Sequence, residues 1–474
     1  IRYEDVQSAL FETCRKLKTD YKQTYPSAYL VPSLYRHPDA KLFVVRRFGW
    51  RQQLRRLRPS RWEAIASAAL LSAGMSFPLL GWNSPVQAWL LEHRMLVQGL
   101  YRQLTRQMPP ADPPILLVQI DDSSLATANV SQRYPMDRGY LAKLARKAVA
   151  LKFPVIGLDY SLAGARPEDA ALAQAIRAGA DSASLFVFAA DKQCPDCEWL
   201  LARPEIAAPD RSWHGDARLW TVGRADYPIY PSLLPPAAKQ TTEEGAAELP
   251  FAYLLALGDA LYEESPDAWQ TQYQQPPGQL IERLFDPRMA VQKSTLFFYR
   301  FGQIWLRPEF DFSLAPNRIF VSISAADFLA TEAGERQYPQ STVAIIPGDY
   351  QEATDRFYAP RPIEYWNRSL QDIKGGELHA YAFHHFRNKH LVARVPDLWL
   401  LLPAFLVGKV VARALRYHPQ HRRWGFGLVG LTIVYGLVSL QVYISGQIIF
   451  GWVLPSAAFW VYNAMLFRRK SDAV

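Results

Sequence analysis

The residues with most chemical capacity in this chain are carboxylates at the ends of short apolar runs. Asp121 and Asp122 close ILLVQI, and Asp159 closes VIGLDY. In an open α/β sheet, groups just outside the carboxyl ends of the strands are the ones that meet ligands. Carboxylates there either hold a cation or polar ligand, or cap the helices that follow and bond turn amides. Arg138 is expected to pair with Asp122 or Asp159 as a buried ionic brace, which suits either reading. Farther along, Asp355 and His379 have the acid and imidazole that can share proton work near neutral pH. Together with Asp121 and Asp122 they make the set on which an extracytoplasmic hydrolase could be built. The chain has no G-x-S-x-G, no H-E-x-x-H and no phosphate loop, so catalysis is not expected. Asp121, Asp122, Arg138, Asp159, Asp355 and His379 therefore stand as ligand-binding candidates. His379, His384, His385 and His390 crowd together, but helical ligands converge at spacings of three or four, which these pairs lack. No metal or cofactor is expected.

These residues must be positioned by a chain of 474 residues, long enough for two or three packed units. Its net charge of +9 does not mark a nucleic-acid binder, because the arginines crowd beside apolar runs instead of lining one soluble face. No nucleic acid is expected as partner. Three cysteines are too few for a disulfide-built fold, so burial of a core must hold the protein together.

The apolar runs give a topology. Residues 1–62 read as a cytoplasmic segment with an amphipathic helix at Tyr3 to Tyr21 and a basic block of Arg46, Arg47, Arg51, Arg55, Arg56, Arg58 and Arg61. An uncharged run then predicts a first membrane span at 63–91, matched to a bilayer core of about 30 Å. Spans at 397–416, 424–443 and 446–467 follow, the last two because the charge-free stretch Trp424 to Phe467 would be about 66 Å long as one helix. With four spans all the basic clusters share one side, including Arg422, Arg423 and the tail at 468–474. Both termini come out cytoplasmic, and the body at 92–396 faces outward from a bacterial inner membrane.

Inside that body, ILLVQI, VIGLDY, SLFVFAA, TLFFYRF, RIFVSI and TVAIIPG read as buried strands. Helical spacing at Tyr140 to Leu151 and Glu168 to Ala178 makes the opening β-α-β-α-β. The expected fold is an α/β extracytoplasmic domain with a mainly parallel sheet, carried on an α-helical membrane bundle of four spans. Residues 191–248 read as a surface insertion. Cys194 and Cys197, in CPDC, would face an oxidising compartment, where a local disulfide is favoured over a redox site.

In order along the chain, ILLVQIDDSSL, YPMDR, VIGLDYSL, FFYRFG, ISAADFL, PGDYQEATDRFYAP and GGELHA resemble the second type of CHASE domain, the cyclase and histidine-kinase associated sensory extracellular domains. The resemblance spans roughly 112–395. It implies an extracytoplasmic sensor with one membrane helix before it and three after. Family members carry an output domain after the last span, whereas only Arg468 to Val474 follows here, so the output is expected upstream of Ile1 or on a separate partner. No charged-then-apolar leader opens the chain, and no cleavable signal peptide is expected. The reading is a multi-pass receptor that partners the lipid bilayer, a cytoplasmic output domain or protein, and a second copy of itself. A membrane effector triggered from the cytoplasm and the hydrolase are the competing readings.

Overall fold

The computed structural model describes residues 58–77, 82–83, 85–110, 113–191, 198, 200–207, 212–219, 249–272, 274–275, 280, 308–332, 341–351, 353, 355–367, 371–388, 390–415 and 421–464, with Glu12, Arg15 and Lys16. The chain divides into units Ile1–Ala64 and Ile65–Val474. In the first, Arg15 pairs with Glu12 one helical turn away. The rest of the expected Tyr3 to Tyr21 helix lies outside the described residues, as do most of the arginine block, the TLFFYRF run and the tail.

Helix α1 (Arg61–Gly74) begins in the last residues of the first unit and continues into the second, where α2 (Pro85–Leu104) follows. This corrects the single span expected at 63–91. Proline lacks the N–H and clashes with the preceding turn, so it is best tolerated where a helix begins, and Pro85 begins α2. Short strands Ser76–Phe77 and Trp82–Asn83 pair in the gap. Glu92, Arg94, Gln98 and Arg102 are buried on α2, which runs on into the body of the protein.

That body is a six-stranded sheet of β1 (Ile115–Gln119), β2 (Val155–Leu158), β3 (Leu185–Ala190), β4 (Ser212–Asp216), β5 (Val321–Ser324) and β6 (Val343–Ile346). The order is β4-β3-β2-β6-β1-β5, and every pairing is parallel. Helices cover both faces, so the central strands are apolar on both sides. Ile115, Leu117, Val343 and Ile345 pack with α6 (Phe251–Glu264). Leu116, Val118, Ala344 and Ile346 pack on the opposite face with α4 (Arg138–Ala150) and α5 (Asp169–Asp181). The β-α-β-α-β opening has the expected form. Strand β4 is new: it lies inside the segment read as a surface insertion, and pairs with β3 from Ser212 to Asp216. Two short helices, α3 (Asp122–Thr127) and α7 (Ala325–Ala330), complete the second face.

After β6, an antiparallel ribbon of β7 (Arg356–Tyr358) and β8 (Asp372–Lys374) leads into α8 (Gly375–Asn388), whose Leu378, Tyr381 and Phe383 join the core beside α6. The chain closes with α9 (Asp397–Leu415), α10 (His421–Gly446) and α11 (Val453–Asn463). Among the described residues, Asp397–Leu415 and Arg423–Gly446 are long and apolar enough to cross a bilayer. They display Leu402, Leu406, Phe426, Leu431 and Ile433 to their surroundings, a lipid-facing pattern. Helix α11 has 11 residues, too short to cross by itself, so among the described residues two candidate spans stand where four were expected.

Candidate functional site

Parallel strands bring their carboxyl ends to one edge of the sheet, and the residues that leave β2, β3, β4 and β6 surround a cleft of about 460 Å³ there. Asp159 and Tyr160 follow β2, Asp191 follows β3, Ala217 and Arg218 follow β4, and Gly348 and Tyr350 follow β6. The chain after β6 is tied to its neighbours: the Asp159 amide donates to the Ile346 carbonyl at 3.2 Å, and the Asp349 amide donates to the Ile120 carbonyl at 2.8 Å. Asp355, just before β7, enters from the opposite wall with Phe357.

The GGELHA motif has a steric explanation here. A Cβ on Gly375 would occupy the space of the Asp355 carboxylate, and one on Gly376 would collide with the Pro347 ring. The Gly375 amide donates to the Asp355 carbonyl at 3.0 Å. Two adjacent glycines thus let the first turn of α8 press against the cleft, and one turn later His379 comes underneath it.

His379 is 2 % exposed, with Nε2 at 3.9 Å from Asp159 Oδ1. Its ring hydrogen-bonds to the Ala217 carbonyl, and Nε2 has no hydrogen-bond partner. Burial lowers its pKa despite the opposing charges of Asp355 and Asp216, so the imidazole is neutral near pH 7. Burial pushes Asp159 up to about 7. Burial, reinforced by the charge of Asp159, pushes Asp355 up to about 6 while its side chain keeps one side open to solvent. The two carboxylates titrate as a pair, and near neutrality they share protons. The surrounding cations are engaged elsewhere. Arg218 makes a two-pronged contact with Asp216 at 2.8 Å, Lys374 pairs with Asp349, and Arg356 donates to the Tyr350 carbonyl at 3.2 Å.

Of the six candidate residues, the structure gathers Asp159, Asp355 and His379 and leaves the other three with different work. Asp121 is the N-cap of α3 and accepts from the Ser124 amide at 2.7 Å. Asp122 pairs with Arg133 at 2.7 Å and accepts from the Gln351 amide. Neither lines the cleft. The expected pairing of Arg138 with Asp122 or Asp159 is corrected. Arg138 pairs with Asp169, which also binds Arg203 at 3.0 Å, because both lie where α4 and α5 pack together. The hydrolase set loses two of its four members to a cap and a surface pair. Cys194 and Cys197 lie outside the described residues, and among those described no cluster of three or more His, Cys, Asp or Glu side chains could hold a metal ion.

A second buried polar group was not legible in the sequence. At the start of α9, Asp397 is held by Arg94 of α2 at 2.7 Å and by Gln87 at 2.8 Å. Just over two turns farther along α2, Arg102 binds Asp311 at 3.1 Å. Asp311 also accepts from Tyr443 of α10 at 2.7 Å, and its amide donates to His385 Nε2 of α8 at 2.7 Å. Burial alone would raise Asp311, but Arg102 and the hydrogen bonds hold it below the ordinary range. Burial lowers His385 to about 4. This junction ties the α/β body to both apolar helices. The available signal was Arg94, Gln98 and Arg102, spaced four apart, with Glu92 just before them, past an apolar run.

No curated protein and no solved structure matches the chain. A family model, the CHASE2 domain, matches residues 68–412 and so takes in the sheet, the cleft, the junction apart from Tyr443, and most of α9. The α/β body built on a parallel sheet and the apolar helix that follows it both fall within that match, and the chain belongs to the CHASE2 family of sensory extracellular domains.

Proposed function

We propose that this chain is a membrane-anchored receptor whose α/β body lies outside the cell membrane, receives its signal at the carboxyl-edge cleft, and passes it inward to a cytoplasmic output module. One observation carries this reading: the sensory fold is joined to both apolar helices through buried ion pairs and hydrogen bonds, with no flexible linker between Val395 and α9. Helix α8 runs from His379 beneath the cleft to His385 in the junction, within one rigid element of 14 residues. A rearrangement at one end of that helix is therefore felt at the other. A ligand shifts such a system only by its difference in affinity for two arrangements.

The orientation is testable by labelling. On a background with Cys14, Cys194 and Cys197 replaced by serine, a membrane-impermeant maleimide applied to intact cells should label Glu168→Cys. It should reach Arg423→Cys only after permeabilisation. Labelling of both positions in intact cells, or of Arg423→Cys alone, overturns the proposal.

A further inference from the structure

We propose that the carboxyl-edge cleft binds a small organic cation, an ammonium or guanidinium group on a compact carbon body. This deepens the receptor reading and rests on it for the consequence of binding, though not for binding itself.

The floor of the cleft is built of acceptors. Among the described residues neither Asp159 nor Asp355 has a lysine or arginine in ion-pair range, and the near neighbours Arg218 and Lys374 are occupied by Asp216 and Asp349. His379 spends its N–H on the Ala217 carbonyl, so the nitrogen facing Asp159 is a lone pair with no donor, on a side chain that is 2 % exposed. At 3.9 Å, Asp159 is too distant to supply that donor even when protonated. The two carboxylates line the cleft and accept several N–H groups at once, with the imidazole lone pair buried behind Asp159, and an ammonium or guanidinium offers three to five. A buried polar atom without a partner is costly, which favours a ligand that supplies one.

The walls favour an organic cation over an inorganic one. Tyr160 and Tyr350 rise beside Gly348, Phe357 stands by Asp355, and Tyr134 lies at the rim. Aromatic faces attract cations, and their bodies cover carbon. Divalent ions such as calcium require six or more oxygens, and no such cluster exists among the described residues. A cleft of about 460 Å³ is of small-molecule size.

Cation binding requires the ionised carboxylates. Protons held by Asp159 and Asp355 must leave when the ligand arrives, and Asp191, Asp216 and Asp349 add negative field from the neighbouring strand ends, against Arg218, Arg356 and Lys374. Affinity should therefore fall as pH drops through the range in which the pair takes up protons, and protonation of His379 adds repulsion at the acid end.

Titration calorimetry on the full chain in lipid nanodiscs tests this, with benzylammonium and butylguanidinium as probes against benzyl alcohol and benzoate. Saturable heats are expected from the two cations, with affinity at least about tenfold above the neutral and anionic probes and falling about tenfold between about pH 8 and pH 5. Asp159→Asn and Asp355→Asn should each weaken cation binding by about tenfold or more, while Glu332→Gln, on the exposed turn after α7, should not. The proposal is overturned if benzoate binds as well as benzylammonium, if magnesium displaces or replaces the organic cations, if neither cation binds at all, or if affinity in the unsubstituted chain is independent of pH. Because the pH profile uses the unaltered protein, misfolding of a variant cannot rescue the idea. Binding with the wrong labelling pattern would sink the receptor reading alone, and the right labelling without binding would sink this one alone.

Discussion

At the cleft, Asp159 is largely buried and Asp355 keeps one side open to solvent, with no arginine or lysine in reach of either among the described residues, whereas at the junction Asp397 and Asp311 are each gripped by a buried arginine. Burial disfavours the charged form at Asp159, Asp355 and Asp311 alike. The outcome differs because a guanidinium at 2.7 to 3.1 Å restores to the junction carboxylates what desolvation removes. Paired carboxylates brace a joint, and unpaired ones are left in a state that a proton or a ligand can change. On the receptor reading proposed above, the junction is the place that must keep its form for the apolar helices to follow the body, and the cleft is the place that must respond.

The contrast is sharpest at Asp397. Replacing it with alanine leaves Arg94 buried and uncompensated, and should cost on the order of 3–5 kcal/mol in thermal unfolding of the detergent-solubilised chain. The double change Arg94→Met, Asp397→Leu should recover most of that loss, since an apolar pair of similar volume removes both desolvated charges. A negligible cost for the single change would mean that the junction does not hold the body to α9.

Asp159→Asn should move stability the other way. Asp159 carries a proton in the folded state up to about pH 7 but loses it near 3.8 when unfolded, so the folded state binds more protons in between and stability declines as pH rises through that window. Asparagine removes this decline. The variant should match the unsubstituted chain near pH 4 and exceed it by on the order of 2 kcal/mol at about pH 8 in denaturant unfolding. A variant that is less stable at high pH would place a cation partner on Asp159.

The remaining carboxylates bracket the comparison from below. Asp121→Ala removes the cap of α3 and should cost about 1 kcal/mol at any pH above the ordinary carboxylate range. Asp122→Ala breaks a half-exposed pair with Arg133 and should change stability by no more than about 0.5 kcal/mol. Neither should weaken cation binding, and a loss of binding from Asp122→Ala would enlarge the site beyond the cleft.

Much of this arrangement could be read from the chain before folding. The apolar runs at Ile115, Val155, Leu185 and Val343 are strands because uninterrupted branched residues suit a sheet covered on both faces. Asp159, Asp355 and His379 were identifiable by type and by position after strands or in a tight turn, and Gly375–Gly376 marked a close approach whose partners, Asp355 and Pro347, were not. Asp121 and Asp159 occupy the same place in their local sequences, yet one caps a helix and the other lines a cleft. The difference arises because β6 inserts between β1 and β2, and brings Gly348 and Tyr350 over the end of β2. Strand β4 was missed because Trp213 and His214 lie in a polar, proline-rich stretch that reads as loop until β3 offers it an edge.

Local composition by itself determined the strands, the covering helices and two apolar helices, because periodicity and side-chain volume act over a few residues at a time. The break before Pro85 followed from proline chemistry that is equally local. Which charge meets which was decided only by tertiary structure: Arg94 finds Asp397 and Arg102 finds Asp311 across 303 and 209 positions of chain. An ion pair depends on distance in space, and distance in space is set by the order of strands in the sheet and the helices that cross it, which no window of sequence contains.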